Sequence, residues 1–298
     1  MERETLLTIL LLLVGGLAAQ PLAMLPHRRL PDAAPWITER RAWRRLWLPV
    51  VPTLVVAAWL CGWALREPDP VHDRFDHGML VMACLPFAAI ALRAALRAAW
   101  ALARVPAAIP ICTAGLLRPR VAFSPFLARA LDEGQIRAAW EHEQAHARHR
   151  DPLRIWLAQI VTDLQWPWPW AREHFDNWLE ILEYARDDEA RGRGASGADL
   201  AAAVLATVRQ SSSILLPQEA RWAAPIDAAL LGDGRSLQAR IARLLAPLPD
   251  SAGTAVRTRL GDRTAAAVLA AMLAIACASG AMSGEWILHP LFLWTWTV

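Results

Sequence analysis

Lysine is missing from this 298-residue chain, and its 31 basic side chains are all arginine. Charged residues make up only 20% of the sequence against 55% hydrophobic, with a mean hydropathy of +0.25. That balance excludes a typical soluble enzyme. Cysteine is scarce: of Cys61, Cys84, Cys112 and Cys277, three lie in or beside apolar runs and no two have CxxC spacing. A disulfide framework and a cysteine-rich zinc site are thereby excluded. One tyrosine stands against 16 tryptophans, and there is neither a glycine-rich phosphate loop nor a long internal repeat. The net charge of +3 is small, and the arginines cluster beside apolar runs rather than forming one basic face. Direct nucleic-acid binding is therefore not expected.

What the chain does have is long apolar runs. A helix needs about 20 predominantly apolar residues to cross a bilayer. Thr5 to Leu25, Leu46 to Leu65, Met79 to Val105 and Thr264 to Met282 are four candidates. In the third, Arg93, Arg97 and Arg104 can snorkel if that end faces the cytoplasm. A signal peptide is the alternative for the first run, but its leading Met-Glu-Arg-Glu lacks the usual positive charge. The loop 26–45 is rich in arginine and the loop 66–78 in acid, which orients the first inward and the second outward. Both termini are then expected outside, with a cytoplasmic segment between the third and fourth spans. The aromatic tail from Trp286 suits a membrane interface. The corresponding domains are three spans over 1–105, a cytoplasmic domain over 106–263, and the fourth span with its tail over 264–298.

Within that segment, Arg120 to Ser124 predicts a small strand or hairpin. Asp132 predicts a helix N-cap, with Gln135 at capping-box spacing. An apolar helix is expected over 153–165, amphipathic ones over 198–210 and 235–244, and a longer helix from Ala171 to about Glu189. The prolines of Trp166-Pro167-Trp168-Pro169-Trp170 exclude a regular helix there, and the tryptophans read as interfacial anchors.

The chemistry is concentrated in "EHEQAHARHRD", residues 141–151. His142-Glu143-Gln144-Ala145-His146 is an HExxH motif. On a helix, positions i and i+4 share a face, so both imidazoles can hold one Zn²⁺ while Glu143 serves as general base for a bound water. A charged surface helix is the bland alternative. His149 is excluded as a third ligand, because seven residues rise about 10 Å along a helix. The third ligand must come from the downstream helix. Glu183 with Asp187 one turn later offers a ligand and an acid to orient a liganding histidine. Glu180 is an internal rival and His174 a weaker one. Tyr184 is a candidate oxyanion donor.

LLRPRVAFSPFL, HEQAH, His149-Arg150-Asp151, the Trp/Pro break and EYARDDEA resemble, in order and spacing, the BlaR/MecR-type membrane metallopeptidase family. The resemblance covers roughly 110–245. It implies a mainly α, polytopic membrane protein of about four transmembrane helices, with a small gluzincin-like α(+β) zinc metallopeptidase domain between spans three and four. His142, His146 and Glu183 would be the zinc ligands, Glu143 the general base, Asp187 the orienting acid and Asp151 a structural acid paired with arginine. The HtpX and prenyl-protease families share HExxH…ExxxD but lack the Arg-Pro-Arg and Trp/Pro context. Glu141, Gln144 and Arg186 depart from the family's usual residues. About 16 residues follow the fourth run, so no extracellular penicillin-binding sensor is expected here. The implied activity is a zinc endopeptidase of the bacterial inner membrane, cleaving a protein such as a cytoplasmic repressor. A non-proteolytic membrane sensor or scaffold and a quality-control protease are the alternatives.

Overall fold

A computed structural model describes residues 35–66, 77–103, 111–123, 129, 131–165, 169–213, 234–248 and 255–294. The chain is mainly helical, and two helical stretches, Pro35–Ala64 and Ala266–Ser283, are long and apolar enough to cross a membrane. The first expected span, Thr5 to Leu25, and Trp166 to Trp168 of the Trp/Pro break lie outside the described residues.

The residues fall into two compact units. The first comprises 1–28, 47–89 and 252–298. In it, α2 (Val51–Ala64) packs against α9 (Ala255–Trp294). A 3-10 turn, Leu48–Val50, precedes α2 where Pro49 and Pro52 each remove a backbone donor. Small residues let the two backbones touch. A Cβ on Gly62 would lie 1.8 Å from the Cys277 carbonyl oxygen, and one on Gly280 would lie 1.9 Å from that of Trp59. Val268, Ile275 and Met282 of α9 are exposed, as lipid-facing side chains would be.

The second unit comprises 29–46 and 90–251. This differs from the expected 106–263: a segment from before the second apolar run belongs to it. That segment contains most of α1 (Pro35–Trp47). α3 (His77–Ala103) runs unbroken through Pro86, and its residues from Ile90 onward belong to this unit. Arg93 and Arg97 both pair with Asp163 of a neighbouring helix, Arg97 at 2.8 Å and Arg93 at 3.4 Å.

A hairpin of β1 (Ile111–Ala114) and β2 (Arg120–Phe123) pairs antiparallel, Thr113 opposite Val121. It packs on α4 (Glu133–His149). The capping box forms as expected: the Gln135 amide donates to Asp132 Oδ1 at 2.8 Å, and the Asp132 amide approaches Gln135 Oε1 at 3.4 Å. α4 stops at Arg150, whose left-handed φ of 53° turns the chain into α5 (Asp151–Leu164).

α6 (Pro169–Gly192) is the central helix, begun by Pro169 at a position that needs no amide. Phe175, Trp178, Leu179, Leu182, Ala185 and Ala190 repeat at helical spacing and are buried. Sinking each large side chain contributes about 1.5–3 kcal/mol. Glu183, Arg186 and Asp187 interrupt that apolar stripe and are buried with it. α7 (Gly197–Ser213) packs on α4, and α8 (Gly234–Leu245) on α6 and α7. Ala138, Ala190, Leu200, Ala201 and Leu244 close the core between them.

The glycine contacts set a testable limit. Gly280→Val should force α2 and α9 apart and lower the thermal unfolding midpoint of the detergent-solubilised chain, at a cost of about 1–3 kcal/mol or more. An unchanged midpoint would show that this contact does not hold the pair.

Candidate metal centre

His142 and His146 lie one turn apart on α4, and both rings are buried. Glu183 of α6 faces them. One ligand atom from each of the three lies within 4.8 Å of the others. The Nε2 atoms are 3.0 Å apart, Glu183 Oε2 is 3.3 Å from His142 Nε2, and Glu183 Oε1 is 3.5 Å from His146 Nε2. Around a tetrahedral zinc with bonds of about 2.0–2.1 Å, ligand atoms stand about 3.3 Å apart. The three donors therefore already have the separations of a shared ion.

The tautomers agree with that fit. His146 Nδ1 lies 2.9 Å from Asp151 Oδ2. His142 Nδ1 lies 2.9 Å from Asp187 Oδ1, a short contact directed away from ideal hydrogen-bond geometry. A ring nitrogen this close to a carboxylate carries the proton, and its other nitrogen keeps the lone pair. Two lone pairs then face each other at 3.0 Å, which is repulsive unless a cation sits between them. Glu183 Oε2, although buried, lacks a well-directed hydrogen bond among the described residues. These are the features of a metal site, and the residues fit zinc.

Without a metal, a proton supplies the cation. Burial disfavours charge on His142, but its contacts to Asp187 and Glu183 outweigh burial and raise its pKa to about 10. Burial likewise opposes the Glu183 carboxylate, but the charges of Arg240 and the histidines prevail and hold its pKa down at about 2. Asp151 and Asp187 are depressed below the usual carboxylate range for the same kind of reason, against burial: by His146 and Arg186, and by Arg240 and His142.

No protein-family model, curated protein or solved structure matches this chain. The geometry alone therefore carries the assignment of the site.

Several expected residues are brought together: His142, His146 and Glu183 as ligands, with Asp187 behind His142. Others are not. His149 pairs with Glu189 at 2.7 Å, on an exposed edge. Glu180 accepts the Tyr184 hydroxyl at 2.6 Å. The oxyanion role expected of Tyr184 is thus not what this geometry provides, since its one proton is directed at Glu180. Burial and Glu180 push that phenol's pKa up. His174 and Glu180 are not part of the ligand group. Asp151 is paired with arginine as expected, through Arg186 and Arg154, but it also backs His146.

Sequence reasoning missed Arg240 and Thr113. Arg240 of α8 grips Asp187 with two hydrogen bonds of 2.8 Å and reaches Glu183 Oε2 at 3.0 Å. Its signal was a charge in the helical stripe with Leu237, Ile241 and Leu244. Removing it would leave buried carboxylates uncompensated, at about 3–5 kcal/mol. Thr113 of β1 lies 2.7 Å from Glu143 Oε2 and 2.8 Å from the Glu143 carbonyl oxygen, and its one proton serves either acceptor. No local pattern marks that contact.

Two outcomes follow. Glu183→Gln should abolish stoichiometric zinc binding while Glu180→Gln retains it, as read by metal analysis of purified protein; the reverse would make Glu180 the ligand. Metal-free protein should be most stable between about pH 4.5 and 6.5. Below that window the depressed carboxylates lose their contribution as Glu183 protonates toward about pH 2. Above it, His142 gradually loses its own as the pH rises through about 10. Thermal unfolding in chelator across this range tests both limbs, and a midpoint still climbing toward pH 9 would contradict the second.

Proposed function

We propose that the chain is a membrane-associated, zinc-dependent endopeptidase. The observation that carries this reading is a buried pair of histidines and a glutamate at the spacing of a shared ion, with Glu143 on the helical turn between the histidines. Family resemblance extends the proposal to a signalling role, with a cytoplasmic regulator such as a transcriptional repressor as substrate.

His142, His146 and Glu183 would hold the zinc, leaving the fourth position open. When bound, the ion supplies a Lewis acid that acidifies water and polarises a peptide carbonyl. Asp187 and Asp151 keep the ring protons on Nδ1, so that both Nε2 lone pairs face inward. Arg240 fixes Asp187 and turns Glu183 toward the histidines. Glu143 takes the proton from the attacking water and passes it to the leaving amine. With Thr113 donating to Oε2, Oε1 remains to accept that proton. Thr113 also ties β1 to the general base. An extended peptide lying along β1 would run beside Glu143.

A structural zinc needs a fourth protein ligand, and the ligand group among the described residues has three members. That favours an enzyme over a scaffold. Glu143→Gln should keep about one zinc per chain and reduce proteolysis about 10²–10⁴-fold. A variant with zinc bound and full activity would exclude Glu143 as the base.

A further inference from the structure

α1 reaches the metal cluster by a route that the ligand motif does not include. Glu39, 4% exposed, accepts from Trp178 Nε1 at 2.9 Å and pairs with Arg154. The other arm of Arg154 donates to Asp151 Oδ1 at 3.0 Å. Asp151 Oδ2 in turn accepts from His146 Nδ1 at 2.9 Å. Trp43, one turn after Glu39, closes over the guanidinium of Arg154, whose central carbon lies 4.8 Å from that ring and 5.7 Å from Trp178. Residues 29–46 share the compact unit of the cluster, and α1 leads directly into the apolar stretch that ends at Ala64.

We infer that Glu39 is a positioning residue for the metal site, acting on His146 through Arg154 and Asp151. Asp151 is gripped by two guanidiniums, those of Arg186 and Arg154. Glu39 draws part of Arg154 to itself and so leaves Asp151 more electron density for the His146 proton. Taking that carboxylate away would turn the whole charge of Arg154 onto Asp151, weaken its hold on the Nδ1 proton and make Nε2 a poorer donor. Outer carboxylates that set a ligand's orientation and basicity are worth about 10–100-fold in metal affinity. Glu39 stands one arginine further out. The helix entering the apolar stretch is therefore part of the metal site, and its docking is one condition for tight metal binding.

This rests on the metal reading above, and the test separates the two. Zinc affinity would be measured on the full chain in detergent by chelator competition. The visible spectrum of the cobalt-substituted protein would report ligand geometry. Glu39→Gln, which keeps an acceptor for Trp178 but removes the charge, should weaken zinc about ten-fold, the low end of the outer-carboxylate range. Its effect should disappear in an Asp151→Asn background. A lowered unfolding midpoint with unchanged zinc affinity and cobalt spectrum would make Glu39 merely structural and overturn the inference. Should Glu39→Gln not fold, Glu39→Asp, which keeps the charge but draws it back from Arg154, must weaken zinc in the same direction; wild-type affinity there would equally overturn it. Absence of zinc binding by the unaltered chain would sink the metal reading itself.

Discussion

A buried carboxylate must have its charge answered, and three of them surround the two histidines. Asp151, Glu183 and Asp187 are each 5% exposed or less. Placed there alone, such groups would take up protons rather than stay charged. Arg240 answers Asp187 and Glu183, while Arg186 and Arg154 answer Asp151. Glu39 shares Arg154 with Asp151, so four buried carboxylates face three guanidiniums, and the remaining charge is met at the histidines, by a proton or by a metal. The position of α8 follows from this, because Arg240 has to reach α6. So does the position of α1, because Arg154 has two carboxylates to satisfy.

The turn at Arg150 is where local strain serves that arrangement. A non-glycine residue in the left-handed region costs about 1–2 kcal/mol. In return the chain reverses within one residue, and Asp151 comes back against His146, five positions earlier. Pro152 then lies in the first turn of α5, where a missing amide does no harm. Asp151, set by this turn, was readable as an acid paired with arginine but not as a partner of His146.

What was legible followed helical periodicity. Two histidines four apart, and a glutamate with an aspartate four later, are arrangements that one helix enforces by itself. The capping box at Asp132 and the rejection of His149 were local in the same sense, whereas α6 begins two residues before and ends three after the expected Ala171 to Glu189. The rival third ligands could not be separated that way, because Glu180 and Glu183 occupy one helix less than a turn apart. Only the facing of α6 and α4 divides them, turning Glu183 inward and giving Glu180 to Tyr184. Thr113, Arg240 and Glu39 were out of reach because each acts across 30 or more positions, on a partner that tertiary packing selects. The pairing of Arg93 and Arg97 with Asp163 was out of reach for the same reason, because that acid lies on another helix.

The sequence by itself determined a mainly helical chain, its apolar runs, and a half-site of two histidines and a glutamate on one helical turn. Each depends on side chains a few residues apart, whose relation is set by the 3.6-residue repeat. Only the tertiary structure decided which glutamate completes the group, which acids back each imidazole, and that α1 belongs with the centre. Those choices turn on pairing buried charges between helices. No spacing along the chain encodes that pairing, because it is made by whichever opposite charge the packed core brings within hydrogen-bond reach.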